Sequence, residues 1–92
     1  MTVFVRRLIW DRWNVQHIFR HSVLPEEVEE ICHANPLVLH GYKGRLALIG
    51  ETGTGRMLKV ILQPKGQNKY YPVTAHPADA GEQVFYKRLR RR

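Results

Sequence analysis

The sequence predicts one α+β domain, with helices gathered on one side of an antiparallel sheet, and three observations carry that prediction. The first third has helical apolar spacing behind an acidic cap, and then a proline followed by two glutamates. From Leu37 the pattern changes to short apolar runs cut by glycine turns. The last stretch, from about Ala78 to Leu89, returns to helical spacing. The connections between the apolar runs are too short for crossover helices, so the strands should form a meander. The resulting order is β-α-α-β-β-β-β-α. With 92 residues and 43% apolar content, residues 1–92 make a single small domain with one modest core.

The elements follow in chain order. Val3 to Trp10 is rich in β-formers (Val3, Phe4, Val5, Ile9) and reads as a first strand. Asp11 suits the N-cap of a helix over about Arg12 to His21, because its carboxylate can accept the free N–H groups of the first turn. On that helix Val15, Ile18 and Phe19 take core spacing, while Asn14, His17 and His21 share a neighbouring polar stripe. Ser22 to Leu24 breaks the helix. Pro25 opens a second one, where its missing N–H costs nothing, and Glu26 and Glu27 favour its positive end. Leu24, Val28, Ile31 and Cys32 form the apolar stripe, and Asn35-Pro36 ends the helix.

Four strands are expected at Leu37–His40, Arg45–Gly50, Arg56–Gln63 and Tyr70–Ala75, separated by turns at Gly41–Gly44, Glu51–Gly55 and Pro64–Asn68. Alternation puts Tyr70 and Tyr71 on opposite faces. In a regular strand His76 shares a face with Tyr70, Pro72 and Thr74. In the closing helix Ala78, Val84, Phe85 and Leu89 are the candidate packing residues.

Charge and composition narrow the function classes. The net charge is +7, yet five of the six residues of the tail 87–92 are basic. Without those five, ten Lys and Arg face eight Asp and Glu, so the basic signal is mostly terminal. It fits phosphate contact by counterion release, an acidic partner, or solubility. The lone Cys32 cannot form an internal disulfide, which fits a reducing compartment. No apolar run approaches the roughly 20 residues of a membrane span. The expectation is a cytoplasmic protein with no membrane association.

Three local patterns have sharp readings. Gly50-Glu51-Thr52-Gly53-Thr54-Gly55-Arg56-Met57 has the glycine spacing of a phosphate-binding loop. However, Arg56 replaces its lysine, Met57 replaces its hydroxyl, and a strand follows where a helix should, so a hairpin turn is the better account. His17 and His21 lie one helical turn apart and could share a metal, but further ligands are missing; neither metal nor cofactor is expected. A hydrogen-bonded role suits His17. Trp10, Trp13, Phe19 and Tyr86 either stack on RNA bases or pack, and a domain this small favours the core for the tryptophans.

Trp10-Asp11, the helix ending Arg20-His21 with Val23 after it, Glu26-Glu27, Gly55-Arg56 before an apolar strand, and Thr74-Ala75 before a helix with Glu82 and Tyr86 together resemble the BrnT toxin family. The resemblance runs in the same order over nearly the whole chain. It implies a RelE-like fold, a ribonuclease toxin that blocks translation, and a cognate antitoxin with a ribbon-helix-helix DNA-binding part. The chain departs from the family pattern at three places: His76 stands where arginine is usual, Tyr71 where a basic residue is frequent, and Arg20 where lysine is usual.

Metal-free RNA cleavage needs a base for the 2′-hydroxyl, an acid for the departing 5′ oxygen, and cations around the phosphorane. The candidate catalytic residues are therefore His21, Arg56, His76 and Tyr71. Arg20, Lys59, Trp10, Arg88 and Arg90 are the candidate RNA-binding residues. The rival class is a non-catalytic nucleic-acid- or protein-binding module that uses the basic tail. Either way, the reading requires His21 and Arg56 to lie near each other around an anion-sized site.

Overall fold

The computed structural model describes residues 3–90. Arg91 and Arg92 of the basic tail lie outside the described residues. The elements are β1 (Arg7–Leu8), α1 (Arg12–Phe19), α2 (Pro25–His33), β2 (Leu37–His40), β3 (Leu46–Glu51), β4 (Met57–Pro64), β5 (Lys69–Pro77) and α3 (Ala80–Arg90). Type and order follow the α+β expectation. The strands β2 to β5 form the antiparallel meander, and β1 adds to it in parallel beside β5, giving the order β1-β5-β4-β3-β2. A parallel neighbour becomes possible because the two helices between β1 and β2 carry the chain across the sheet.

One face of the sheet carries the main core. Leu48, Leu58, Val60, Leu62 and Ala75 meet Ile18 and Val23 around α1 and Val28 and Ile31 of α2, all buried. Gly50 allows the close approach of α2, since a Cβ there would sit 3.2 Å from Ile31. The third helix does not join its fellows on this face. Ile49 is fully buried although it pairs with Lys59, which points away from the core, and Lys59 meets Glu82 of α3 at 2.6 Å. Thus α3 covers the opposite face, correcting the expectation that all helices share one side. The sequence signal was present: Leu46 to Gly50 is an unbroken apolar run, which implies cover on both faces.

Several side chains take other places than helical spacing suggests. Phe19 is 66% exposed and Trp13 55%, while Val84, Phe85 and Leu89 of α3 are also exposed. Core spacing on α1 is met by Ile18 alone, because the helix is short and docks along an edge rather than over the sheet. Its end is a Schellman arrangement. Val23 N–H donates to the Ile18 carbonyl at 3.1 Å and Ser22 N–H to Phe19 at 2.9 Å, with Ser22 at φ 61° in the left-handed position. That turn buries Val23 against Ile18 and leaves His21 facing outward, two residues beyond the last helical one.

Candidate functional site

The site is built by the way α1 closes an unpaired strand edge. β1 pairs with β5 only at Lys69 and Tyr70, so the outer edge of β5 is free from Tyr71 onward. Pro72, which has no N–H to offer, stands at that point. Helix α1 takes the vacant place. Asn14, fully buried, donates from Nδ2 to the Pro72 carbonyl at 3.2 Å and to the Ile9 carbonyl at 3.0 Å. It also closes a reciprocal cap with Asp11: Asn14 N–H donates to Asp11 Oδ1 at 2.8 Å, and Asp11 N–H to Asn14 Oδ1 at 2.9 Å.

A bulge then decides which β5 side chains face the helix. Ile61 pairs with Thr74 but Leu62 with Pro72, leaving Val73 as the extra residue. Beyond the bulge the alternation is reversed. Tyr71, Thr74 and His76 share the face of Gln63, Ile61 and Lys59, while Tyr70 and Pro72 lie on the core side. This corrects the regular-strand expectation, and it matters because the polar stripe of α1 lies along the same three residues.

The contacts run in parallel with the strand. Tyr71 donates to the Asp11 carboxylate at 2.9 and 3.1 Å. His17 Nε2 is 3.1 Å from Thr74 Oγ1, the hydrogen-bonded role expected of it. His21 and His76 meet edge to face with ring centroids 6.0 Å apart. His17 is itself 5.6 Å from His21, and Trp13 stacks on His17 at 4.7 Å with the rings 7° from parallel. Trp13, His17, His21 and His76 thus form a continuous row of rings. His76 Nδ1 lies 3.0 Å from the Pro77 carbonyl, which can only accept, so Nδ1 carries the proton and Nε2 keeps a lone pair when the ring is neutral.

The cations are placed less simply. Arg56 donates to the Ser22 carbonyl at 2.9 Å, which ties it to the backbone of the turn that follows His21. Its Nη1 also binds Glu27 at 2.8 Å, tying the β3–β4 hairpin to the start of α2. Lys59 is the strand partner of His76 and is held by Glu82. Burial works against the Glu82 carboxylate, but the Lys59 hydrogen bond, a backbone hydrogen bond at Asp79 and the Lys59 charge outweigh it. Together they hold its pKa below the ordinary value. Arg20 is exposed just past the end of α1, and its guanidinium makes no hydrogen bond or ion pair among the described residues.

The remaining candidates lie apart from the row. Trp10 is half-buried and donates from Nε1 to Glu29 at 2.9 Å, which fixes it against α2. Arg90 donates to the Asn35 carbonyl and lies over the Tyr86 ring, and Arg88 is exposed on the same end of α3. Tyr71 stays a neutral phenol, since desolvation, the hydrogen bond to Asp11 and the Asp11 charge all push its pKa up.

Sequence reasoning missed Asp11 as partner of Tyr71, Thr74 as partner of His17, and the carboxylates of Glu27 and Glu82 that engage Arg56 and Lys59. The proline at position 72 was the one available sign that β5 is irregular there. Among the described residues no group of three or more His, Cys, Asp or Glu is placed to hold a metal ion, and no helix is long and apolar enough to cross a membrane. The fold and the site define a small α+β domain with a histidine-lined face beside an exposed arginine. No family model, curated protein or solved structure matches the chain.

Proposed function

We propose that this chain is a metal-independent endoribonuclease and the toxin of a type II toxin–antitoxin pair of the BrnT kind, with a RelE-like fold. In this reading it acts in the cytoplasm and is neutralised by a cognate ribbon-helix-helix antitoxin. The single observation that supports the chemistry is the meeting of His21 and His76, brought from a helix end and a strand end to 6.0 Å on one face. Two imidazoles at that spacing suit a reaction that takes a proton from one oxygen and gives a proton to another.

The roles follow from the hydrogen bonds. His76 Nε2, with Nδ1 committed to Pro77, accepts the proton of the 2′-hydroxyl. The 2′ oxygen attacks the adjacent phosphorus, and the bond to the 5′ oxygen breaks. Protonated His21 gives its proton to that leaving oxygen, so the products are a 2′,3′-cyclic phosphate and a 5′-hydroxyl. Arg20 and Lys59 stabilise the phosphorane charge. Arg56 holds the loop that carries His21 through Ser22.

The test is cleavage of single-stranded RNA by the purified chain. His21→Ala and His76→Ala should each slow it on the order of 100- to 10,000-fold, and full activity of either variant removes that residue from the mechanism. A second reading has its own support. Arg56 and Lys59 are both neutralised by carboxylates, as suits a non-catalytic binding module. Salt-dependent RNA binding without cleavage, and no growth arrest on expression, would decide for the module.

A further inference from the structure

Trp13 lies outside the hydrophobic core. It stands in the first turn of α1, 55% exposed, in a domain whose core is closed without it. Other large apolar residues are exposed too, but Trp13 is the one whose ring lies flat on another ring in this row. His17, beneath it, is fixed in turn by Thr74 at 3.1 Å. The platform is therefore held before any ligand arrives. Gln16 and Arg20, both exposed, line a shallow hollow of about 60 Å³ together with Trp13 and His17. An amide and a guanidinium beside an open indole supply what a nucleobase and its phosphate require: a π surface, an edge donor or acceptor, and a cation.

From these placements we infer that Trp13 is a nucleobase-stacking subsite for single-stranded RNA, with Gln16 on the base edge and Arg20 on the adjoining phosphate. The inference rests on the RNA reading above and extends it to where the strand lies. Trp13 stands two ring-to-ring steps from His21, of 4.7 Å and 5.6 Å, a separation that a dinucleotide spans. A base stacked on Trp13 places the backbone of its neighbour over the His21–His76 pair. Only an unpaired base can enter such a stack, so the subsite selects single strands over duplex. Because every base offers a π face, stacking fixes register without imposing a strong sequence preference.

The test uses a short fluorescently labelled 2′-O-methyl oligonucleotide, which cannot be cleaved, and a matched oligomer with abasic sites. Trp13→Ala should weaken binding of the base-bearing oligomer by about 5- to 100-fold, with Trp13→Phe weaker by less. The abasic oligomer should bind wild-type protein more weakly by a similar factor and be indifferent to Trp13→Ala. That comparison on the wild-type chain needs no variant to fold. Unchanged affinity in Trp13→Ala, or equal loss for the abasic oligomer, overturns the subsite. Cleavage of ordinary RNA is measured alongside. Trp13-dependent binding without cleavage supports the subsite and sinks the nuclease reading, whereas cleavage with Trp13-independent binding sinks the subsite alone.

Discussion

Replacing Asn14 by aspartate tests whether α1 is held to the sheet in the way described. The substitution preserves shape and keeps the oxygen that accepts the Asp11 N–H, but it turns the Nδ2 donor into an oxygen. That oxygen then faces the carbonyls of Ile9 and Pro72, which the amide had bound at 3.0 and 3.2 Å. A buried acceptor at Pro72 and a part-buried one at Ile9 lose their donor, at about 1–3 kcal/mol each, and the new carboxyl must either stay charged without a partner or take up a proton. The expected loss at pH 7 is about 3–5 kcal/mol, a large part of the total of about 5–15 kcal/mol for a domain of this kind. The melting temperature should fall by roughly 12–40 °C. The pH dependence has a definite sign. Burial raises the folded-state pKa of the new carboxyl above its unfolded value near ~3.9, so the folded variant binds the extra proton first. The deficit against wild type should therefore shrink as pH falls from 7 to 4, where the protonated carboxyl recovers one donor. Urea titrations of both proteins at the two pH values measure this. A deficit under about 1 kcal/mol, or one equal at both pH values, would refute the account of how the edge of β5 is closed.

Two further outcomes are expected. Burial, aided by the Glu29 charge, pushes the Cys32 thiol up to about 12, so in the native protein at pH 8 its reaction with a thiol reagent should be on the order of 1,000-fold slower than that of a free cysteine. Rapid labelling without unfolding would contradict this burial. Glu82→Gln should cost up to about 1 kcal/mol at pH 7. Because the Glu82 pKa is held below the ordinary 4.5, that contribution is present above 4.5 and lost as pH falls through the lower folded value. Chemical denaturation of wild type and variant at pH 7 and pH 3 checks it, and an equal gap at both pH values would be the wrong result.

What could be read from the chain in advance was local. Asp11 as N-cap, Pro25 opening a helix with Glu26 and Glu27 behind it, and a hairpin turn expected at Glu51–Gly55 all depend on interactions within a few residues; the first two stand as expected, and the turn is found one residue along, between Glu51 and Met57. The misplaced features depend on partners distant in sequence. Phe19 sits at core spacing on α1 yet is exposed, because nothing within the helix says which elements it will meet. The bulge at Val73 moves His76 to the face of Tyr71, and no periodicity in Lys69–Pro77 marks it except a proline that could equally have ended the strand. The juxtaposition of His21 and His76 therefore needed two non-local facts, the free edge and the bulge.

The same two facts bear on how the face can work. A helix docked along a strand edge places its polar stripe beside one sheet face without covering it, and α3 lies on that same face. Lys59, on that face, answers to Glu82 at 2.6 Å, and Arg56, at the start of β4, answers to Glu27 at 2.8 Å. A phosphate arriving at this face must share Lys59 with Glu82, whereas the Arg20 side chain has no internal partner among the described residues. In the nuclease reading, proton transfer by the two imidazoles then carries more of the rate than electrostatic stabilisation does. Restoring positive charge by Glu82→Gln should accordingly raise the affinity for RNA more than the maximal rate, while loss of either imidazole should act on the rate itself.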